Sequence, residues 1–223
     1  MVEAIFFDLY ETLITEWQNN QRKATYSSAE LGIDAKIFKK AWSARREKRM
    51  DGTFLDHQSC LKDILQSLDK PINENVIEEI HQRRLEAKLV PFKEIDTEIL
   101  QVLQILKDKD IKVGLISNCT AEEVVGWEDS PLANFFDEVV FSYKVKQAKP
   151  NAKIYLMACQ CLEVSPERSL FIGDGGSNEL YGASKVGLKA YQATWFQPDF
   201  ISEKITGFPK LDNPMQITEL IER

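Results

Sequence analysis

Residues 3–12 read Glu3-Ala4-Ile5-Phe6-Phe7-Asp8-Leu9-Tyr10-Glu11-Thr12, an apolar run that stops on an acid and a polar turn. Apolar residues without alternation fit a strand buried on both faces, as inside a parallel sheet. Four further runs have this form: Lys112–Ile116, Glu138–Ser142, Ser169–Ile172 and Leu188–Gln192, the last more mixed. Between them the spacing predicts helices. Ile99, Val102, Leu103 and Leu106 recur on one helical face, and Ile154, Ala158 and Cys161 mark another just after Pro150. Strands alternating with helices predict an α/β doubly wound parallel sheet.

The first two strands are separated by about a hundred residues, far more than a crossover helix needs. This gap reads as helices. Leu61, Ile64, Leu65 and Leu68 share one face; Val76, Ile77, Ile80 and Leu85 suggest a second helix after Pro71 and Asn73; Ile37–Met50 suggests a third. The expected organisation is therefore a core of residues 1–15 and 92–223 with a helical insertion at 16–91. Met215–Ile221 reads as a closing helix with Ile217, Leu220 and Ile221 inward.

A net charge of −7 argues against a nucleic-acid partner, which a basic surface would serve. No run is apolar enough to span a bilayer, and the first apolar run lacks a basic start and contains Asp8, so neither membrane nor export is expected. Cys60, Cys119, Cys159 and Cys161 form no CxxC pair, and only His57 and His81 could join them, so a zinc site is not expected. The reading is a cytoplasmic protein with reduced thiols. The sequence sets no oligomeric state.

Ligands of open parallel sheets bind beyond the carboxyl ends of the strands. After the first strand come Asp8, Tyr10, Glu11 and Thr12; after the second, Ser117 and Asn118; after the third, Lys144, Lys146 and Lys149; after the fourth, Asp174, Gly175, Gly176, Ser177, Asn178 and Glu179. Each alone passes for a cap or turn. Together they suit phosphoryl transfer. A carboxylate attacking a phosphate dianion needs a divalent cation between them, held by oxygen ligands such as Asp174 and Glu179. Lys149 can neutralise nucleophile and phosphoryl group, while Ser117 and the backbone around Asn118 can bind phosphoryl oxygens.

These stretches resemble the four motifs of the haloacid dehalogenase superfamily. Phe6-Phe7-Asp8-Leu9-Tyr10-Glu11-Thr12-Leu13 is similar to the first, Leu115-Ile116-Ser117-Asn118 to the second, Lys149-Pro150-Asn151 to the third, and Ile172-Gly173-Asp174-Gly175-Gly176-Ser177-Asn178-Glu179 to the fourth, with Gly182-Ala183 following. The insertion matches the family's small helical cap in position and type. The resemblance implies a Mg²⁺-dependent phosphatase with Asp8 as nucleophile. Asp8, the backbone carbonyl of Tyr10 and Asp174 would be metal ligands, with Glu179 supporting the shell. Ser117 and Lys149 would hold the phosphoryl group of a small anionic substrate.

Tyr10 departs from the pattern, which has a second aspartate there as acid and base; such a group contributes about 10²–10⁴-fold. Leaving groups that depart as stable anions, such as aryl or acyl phosphates, are then expected, with Glu11 a partial substitute only if its carboxylate turns inward. Tyrosine at this position also resembles the 2-haloacid dehalogenases, whose halide needs no proton. A metal-free L-2-haloacid dehalogenase is one alternative, against which Asp174 and Glu179 stand. A catalytically impaired phosphate-binding protein is another. In the insertion, Arg45, Arg46, Lys48 and Arg49 read first as a solvated face alternating with Glu47, and second as contacts to an anionic substrate.

Overall fold

The computed structural model describes residues 2–221. The chain runs β1 (Ala4–Phe7), β2 (Trp17–Gln18), β3 (Gln21–Arg22), α1 (Ala35–Ala44), α2 (Arg46–Met50), α3 (His57–Ser67), α4 (Glu74–Lys93) and α5 (Thr97–Asp108). It continues through β4 (Lys112–Ser117), β5 (Glu138–Phe141), α6 (Ser142–Val145), α7 (Ala152–Cys161) and β6 (Ser169–Gly173). Last come α8 (Glu179–Lys185), β7 (Lys189–Ala193), α9 (Asp199–Ser202), β8 (Lys210–Leu211) and α10 (Ile217–Ile221). The expected doubly wound sheet is present: six parallel strands in the order β5-β4-β1-β6-β7-β8.

Every residue of β1 and β6 is buried, as are the last five of β4. Ile5, Phe7, Val113 and Leu115 pack on one face of the sheet with Ile99, Val102, Leu103 and Leu106 of α5. Ala4, Phe6 and Ile116 pack on the other with Ile154, Tyr155 and Ala158 of α7 and Leu180 and Ala183 of α8. Side chains at successive positions point to opposite faces, so one apolar run serves both layers. Polar residues stop the helices from extending backward: Asp96 accepts from the Glu98 N–H at 2.8 Å before α5, and Asn151 from the Lys153 N–H at 3.0 Å before α7. In the closing segment only Ile217 is fully buried; Leu220 and Ile221 are half-buried against the core.

The stretch between β1 and α5 holds α1–α4 with an apolar centre of Leu31, Leu61, Leu65, Ile77 and Ile80. It also holds the β2–β3 hairpin, where helix was expected. The expected helix over Ile37–Met50 is split at Arg45, which leaves helical geometry and caps α1. Two of the contacts between this unit and the sheet domain fix its placement. Arg84 of α4 pairs with Glu122 at 3.0 Å and Glu123 at 2.8 Å, just beyond β4. Beyond α2, Gly52 (φ 71°) lies so close to the Tyr143 carbonyl that a Cβ would sit 2.3 Å from it. No described helix is long and apolar enough to cross a membrane.

Candidate active site

The chain leaves β1 for β4 on one side and leaves β6 for β7 on the other. The loops after β1 and β6 therefore diverge, and the cleft between them is where such sheets bind ligands. Register brings the strand ends level: Phe7 pairs with Leu115 and Ile172, and Ser117 with Phe141. Asp8, Ser117, Lys149 and Asp174 consequently emerge at one end of the sheet. A carboxylate oxygen from each of Asp8, Asp174 and Glu179 lies within 4.8 Å of the other two. The buried Lys149 ammonium donates to Asp8 Oδ1 and, at 2.5 Å, to Glu179 Oε2.

Local structure fixes these groups. The Asn118 side chain accepts from the Lys149 N–H at 2.7 Å and donates to its carbonyl at 2.8 Å, holding the lysine backbone from a loop 31 residues away. The sequence reading gave Asn118 to the phosphate through its backbone; the structure shows its side chain occupied as this brace. Positive φ at Gly175 (93°), Ser177 (56°) and Asn178 (55°) folds the chain back after Asp174, so Glu179 Oε1 accepts from the Gly175 N–H at 3.0 Å. Glu179 lies directly over Gly173, where a Cβ would meet Oε1 at 2.2 Å. Asp174 accepts from the Gly176 N–H at 2.8 Å and from the Gln197 side chain.

Burial, followed by the Asp8 charge, raises the Glu179 carboxyl well above the usual range, and the same causes raise Asp174. Burial opposes charge on Lys149, but Asp8 and Glu179 outweigh it and hold the ammonium protonated. Three carboxylates around one ammonium leave an excess of negative charge in a buried site. An all-oxygen donor set of this kind fits a hard divalent cation such as Mg²⁺, which would relieve that excess. Beside the cluster is a cavity of about 160 Å³ bordered by Asp8, Ser117, Asn118, Lys149 and Asp174. A liquid water takes about 30 Å³, so a phosphoryl group with a few waters fits.

Tyr10 and Glu11 both border this cavity, yet their polar ends are engaged elsewhere. The Tyr10 hydroxyl donates to the Glu123 carbonyl at 2.6 Å. Glu11, at φ 58°, accepts from the Thr15 hydroxyl at 2.5 Å and the Glu16 N–H at 3.1 Å, closing its own turn. Burial lifts its carboxyl to about 7. Lys144 and Lys146 are exposed, and of the basic loop only Lys149 enters the cluster.

The basic run of the insertion does not form the single solvated face expected of it. Arg45 turns back to Asp63 and Ser67, at 2.5 and 2.8 Å, and Lys48 is exposed. Arg46 reaches across the cleft to the Ser177 hydroxyl at 2.5 Å, and Arg49 is buried. Sequence reasoning also missed Gln197 on Asp174. The strand-end rule, extended to the loop after β7, points to that region.

A family model for haloacid dehalogenase-like hydrolases matches residues 2–187. Glyceraldehyde 3-phosphate phosphatase of Methanothermobacter thermautotrophicus is 25% identical over 99% of this chain and 100% of its own. Pyrophosphatase PpaX of Bacillus cereus is 29% identical over 48% of this chain and 55% of its own, so that match spans about half of each protein. A HAD family enzyme of Bacteroides thetaiotaomicron, in complex with magnesium and inorganic phosphate, superposes with a TM-score of 0.62 at 17% identity over 89% of this chain and 97% of that one. The L-2-haloacid dehalogenase RSc1362 superposes with a TM-score of 0.61 at 16% identity over 100% and 99%. The fold is thus common to phosphatases and dehalogenases, and the side chains must separate them.

Proposed function

Because the chain belongs to the haloacid dehalogenase-like hydrolases, we propose that it is a Mg²⁺-dependent phosphatase of small phosphorylated metabolites, working through a covalent intermediate on Asp8. The observation that carries this reading is the cluster of Asp8, Asp174 and Glu179 around one buried ammonium. A metal-free dehalogenase would keep Asp174 and Glu179 beside Asp8 with Lys149 as their shared counter-charge. The phosphatase relative spanning the full chain, and the magnesium and phosphate of the Bacteroides neighbour, support the same choice.

Asp8 attacks phosphorus as the ester P–O bond breaks; water then cleaves the acyl phosphate, restoring Asp8 and releasing inorganic phosphate. Lys149 orients the nucleophile and balances charge on the phosphoryl oxygens, and Ser117 and Asn118 border the space those oxygens enter. Asp8, Asp174 and the Tyr10 carbonyl would hold the metal, with Glu179 supporting the shell; when bound, it screens carboxylate from phosphate dianion. With the Tyr10 hydroxyl committed to Glu123, no carboxylic acid stands at that position to protonate the leaving oxygen. The enzyme therefore favours esters whose alcohol departs as a stable anion.

The test is turnover of an aryl phosphate and a sugar phosphate, each with Mg²⁺ and with chelator, beside Asp8→Asn. Faster aryl turnover that requires Mg²⁺ and vanishes in Asp8→Asn is expected. Halide release from 2-chloropropionate in EDTA, with no phosphate released from either ester, would overturn the reading.

A further inference from the structure

A second cavity of about 480 Å³ opens from the first, sharing Tyr10, Glu11, Arg46, Asn118 and Asp174 with it and extending to Trp42 and Arg49 of the insertion. Most charges along it are already paired. Lys88 pairs with Glu16 at 2.7 Å and with Glu123 at 3.4 Å; Arg22 pairs with Glu16; Glu123 also takes Arg84. Two cations on its wall have no carboxylate within 4.0 Å among the described residues: Arg46, bonded to the Ser177 hydroxyl, and Arg49, which feels the Glu123 charge only from farther away.

Arg49 is the unusual one. It is 8% exposed, its Nε has no hydrogen-bond partner, and its guanidinium lies 3.9 Å from the centroid of the Trp42 ring. A buried donor without an acceptor is costly, more so when charged. Burial lowers its pKa, but a guanidinium stays protonated in proteins. Stacking fixes the guanidinium plane, and its donors form a rigid fork that matches carboxylate or phosphate oxygens. A guanidinium held against a ring, with its buried Nε donor unpartnered, and bordering the same cavity as Asp174, is suited to an anion on the substrate.

We propose that Arg49 receives a second anionic group at the end of the substrate remote from the reacting phosphoryl group, with Arg46 standing between the two cavities. The substrate class is then a short phosphate ester bearing a carboxylate or a second phosphate. This rests on the phosphatase reading for the identity of the first group. A neutral sugar phosphate of the same length leaves the Arg49 fork empty and binds less well.

The test is calorimetric titration of the full chain in MgCl₂ with three phosphonates: phenylphosphonate, 3-phosphonopropionate and propane-1,3-bisphosphonate. At least one doubly anionic probe should bind about 10- to 100-fold more tightly than phenylphosphonate, and the tighter of the two names the group. Arg49→Met should remove most of that preference, and Arg49→Lys, which keeps charge without the fork, should retain part of it. Equal affinity for all three probes, or a preference that survives Arg49→Met, overturns the proposal. The wild-type comparison needs no variant to fold. Tail preference with no ester turned over would sink the phosphatase reading alone; ester turnover without tail preference would sink only this one; no binding by any probe together with no ester turned over would sink both.

Discussion

Lys149 is 4% exposed and donates to Asp8 and Glu179 together, with Asp174 close by. Lys149→Met removes that ammonium and leaves the three carboxylates facing one another. Breaking a buried pair costs about 3–5 kcal/mol. The variant should lose activity and melt lower, and Mg²⁺ should raise its melting temperature more than it raises that of the wild type; an unchanged melting curve would contradict the charge argument. Glu11 gives a second residue-scale prediction. Its carboxyl moves from 4.5 to about 7 because it is buried. The folded chain then holds a proton that the unfolded chain has released, so stability falls as pH rises through that window, by at most about 3 kcal/mol. Glu11→Gln lacks this titration. Its stability relative to wild type should therefore improve between pH 4.5 and 7 in denaturant titrations, and a constant difference would count against it.

At the scale of elements, the site depends on how closely α8 approaches the Lys149–Pro150 segment. A Cβ on Gly182 would lie 2.7 Å from the Pro150 carbonyl and 2.9 Å from its Cα, backbone that cannot swing aside. Gly182→Ala should push the loop bearing Lys149 outward, lowering kcat at least about tenfold with a loss of stability near 1–3 kcal/mol. Wild-type kcat in a folded variant would refute the close-approach account. The long buried strands were legible because β1, β4 and β6 lie inside the sheet, where both faces select apolar residues. Asp8, Ser117, Lys149 and Asp174 were legible as candidates because each follows such a strand. β8, β2 and β3 have two residues each, too few to show a period. The Asn118 brace on Lys149 and the Arg49 stack on Trp42 left no local sequence pattern. Both are choices of tertiary packing that neighbouring residues do not encode. The basic run misled for a related reason: a break at Arg45 turns neighbouring arginines in different directions.

For the whole molecule, the insertion is anchored by charge on one side. Arg84 is 5% exposed and pairs with Glu122 and Glu123, and Lys88 adds to Glu123. Lys88 and Arg84 together outweigh burial and hold Glu123 well below the usual carboxylate range. Arg84→Met leaves both glutamates short of a partner, and a loss of about 3–5 kcal/mol is expected in equilibrium unfolding. Hydrogen exchange should rise first in α4, since that helix loses its tie to the sheet; uniform protection would argue for a different anchor. The other side meets the sheet domain through Gly52 against the Tyr143 carbonyl, main chain upon main chain. That contact behaves as a doorstop. The aperture of the jaws is set there by main chain, so residues of α2 other than Arg46, which bonds Ser177 across the cleft, can be exchanged without altering how far α2 shuts. Gly52→Ala would wedge the jaws ajar, and bulky esters should then gain on small ones in relative kcat/KM.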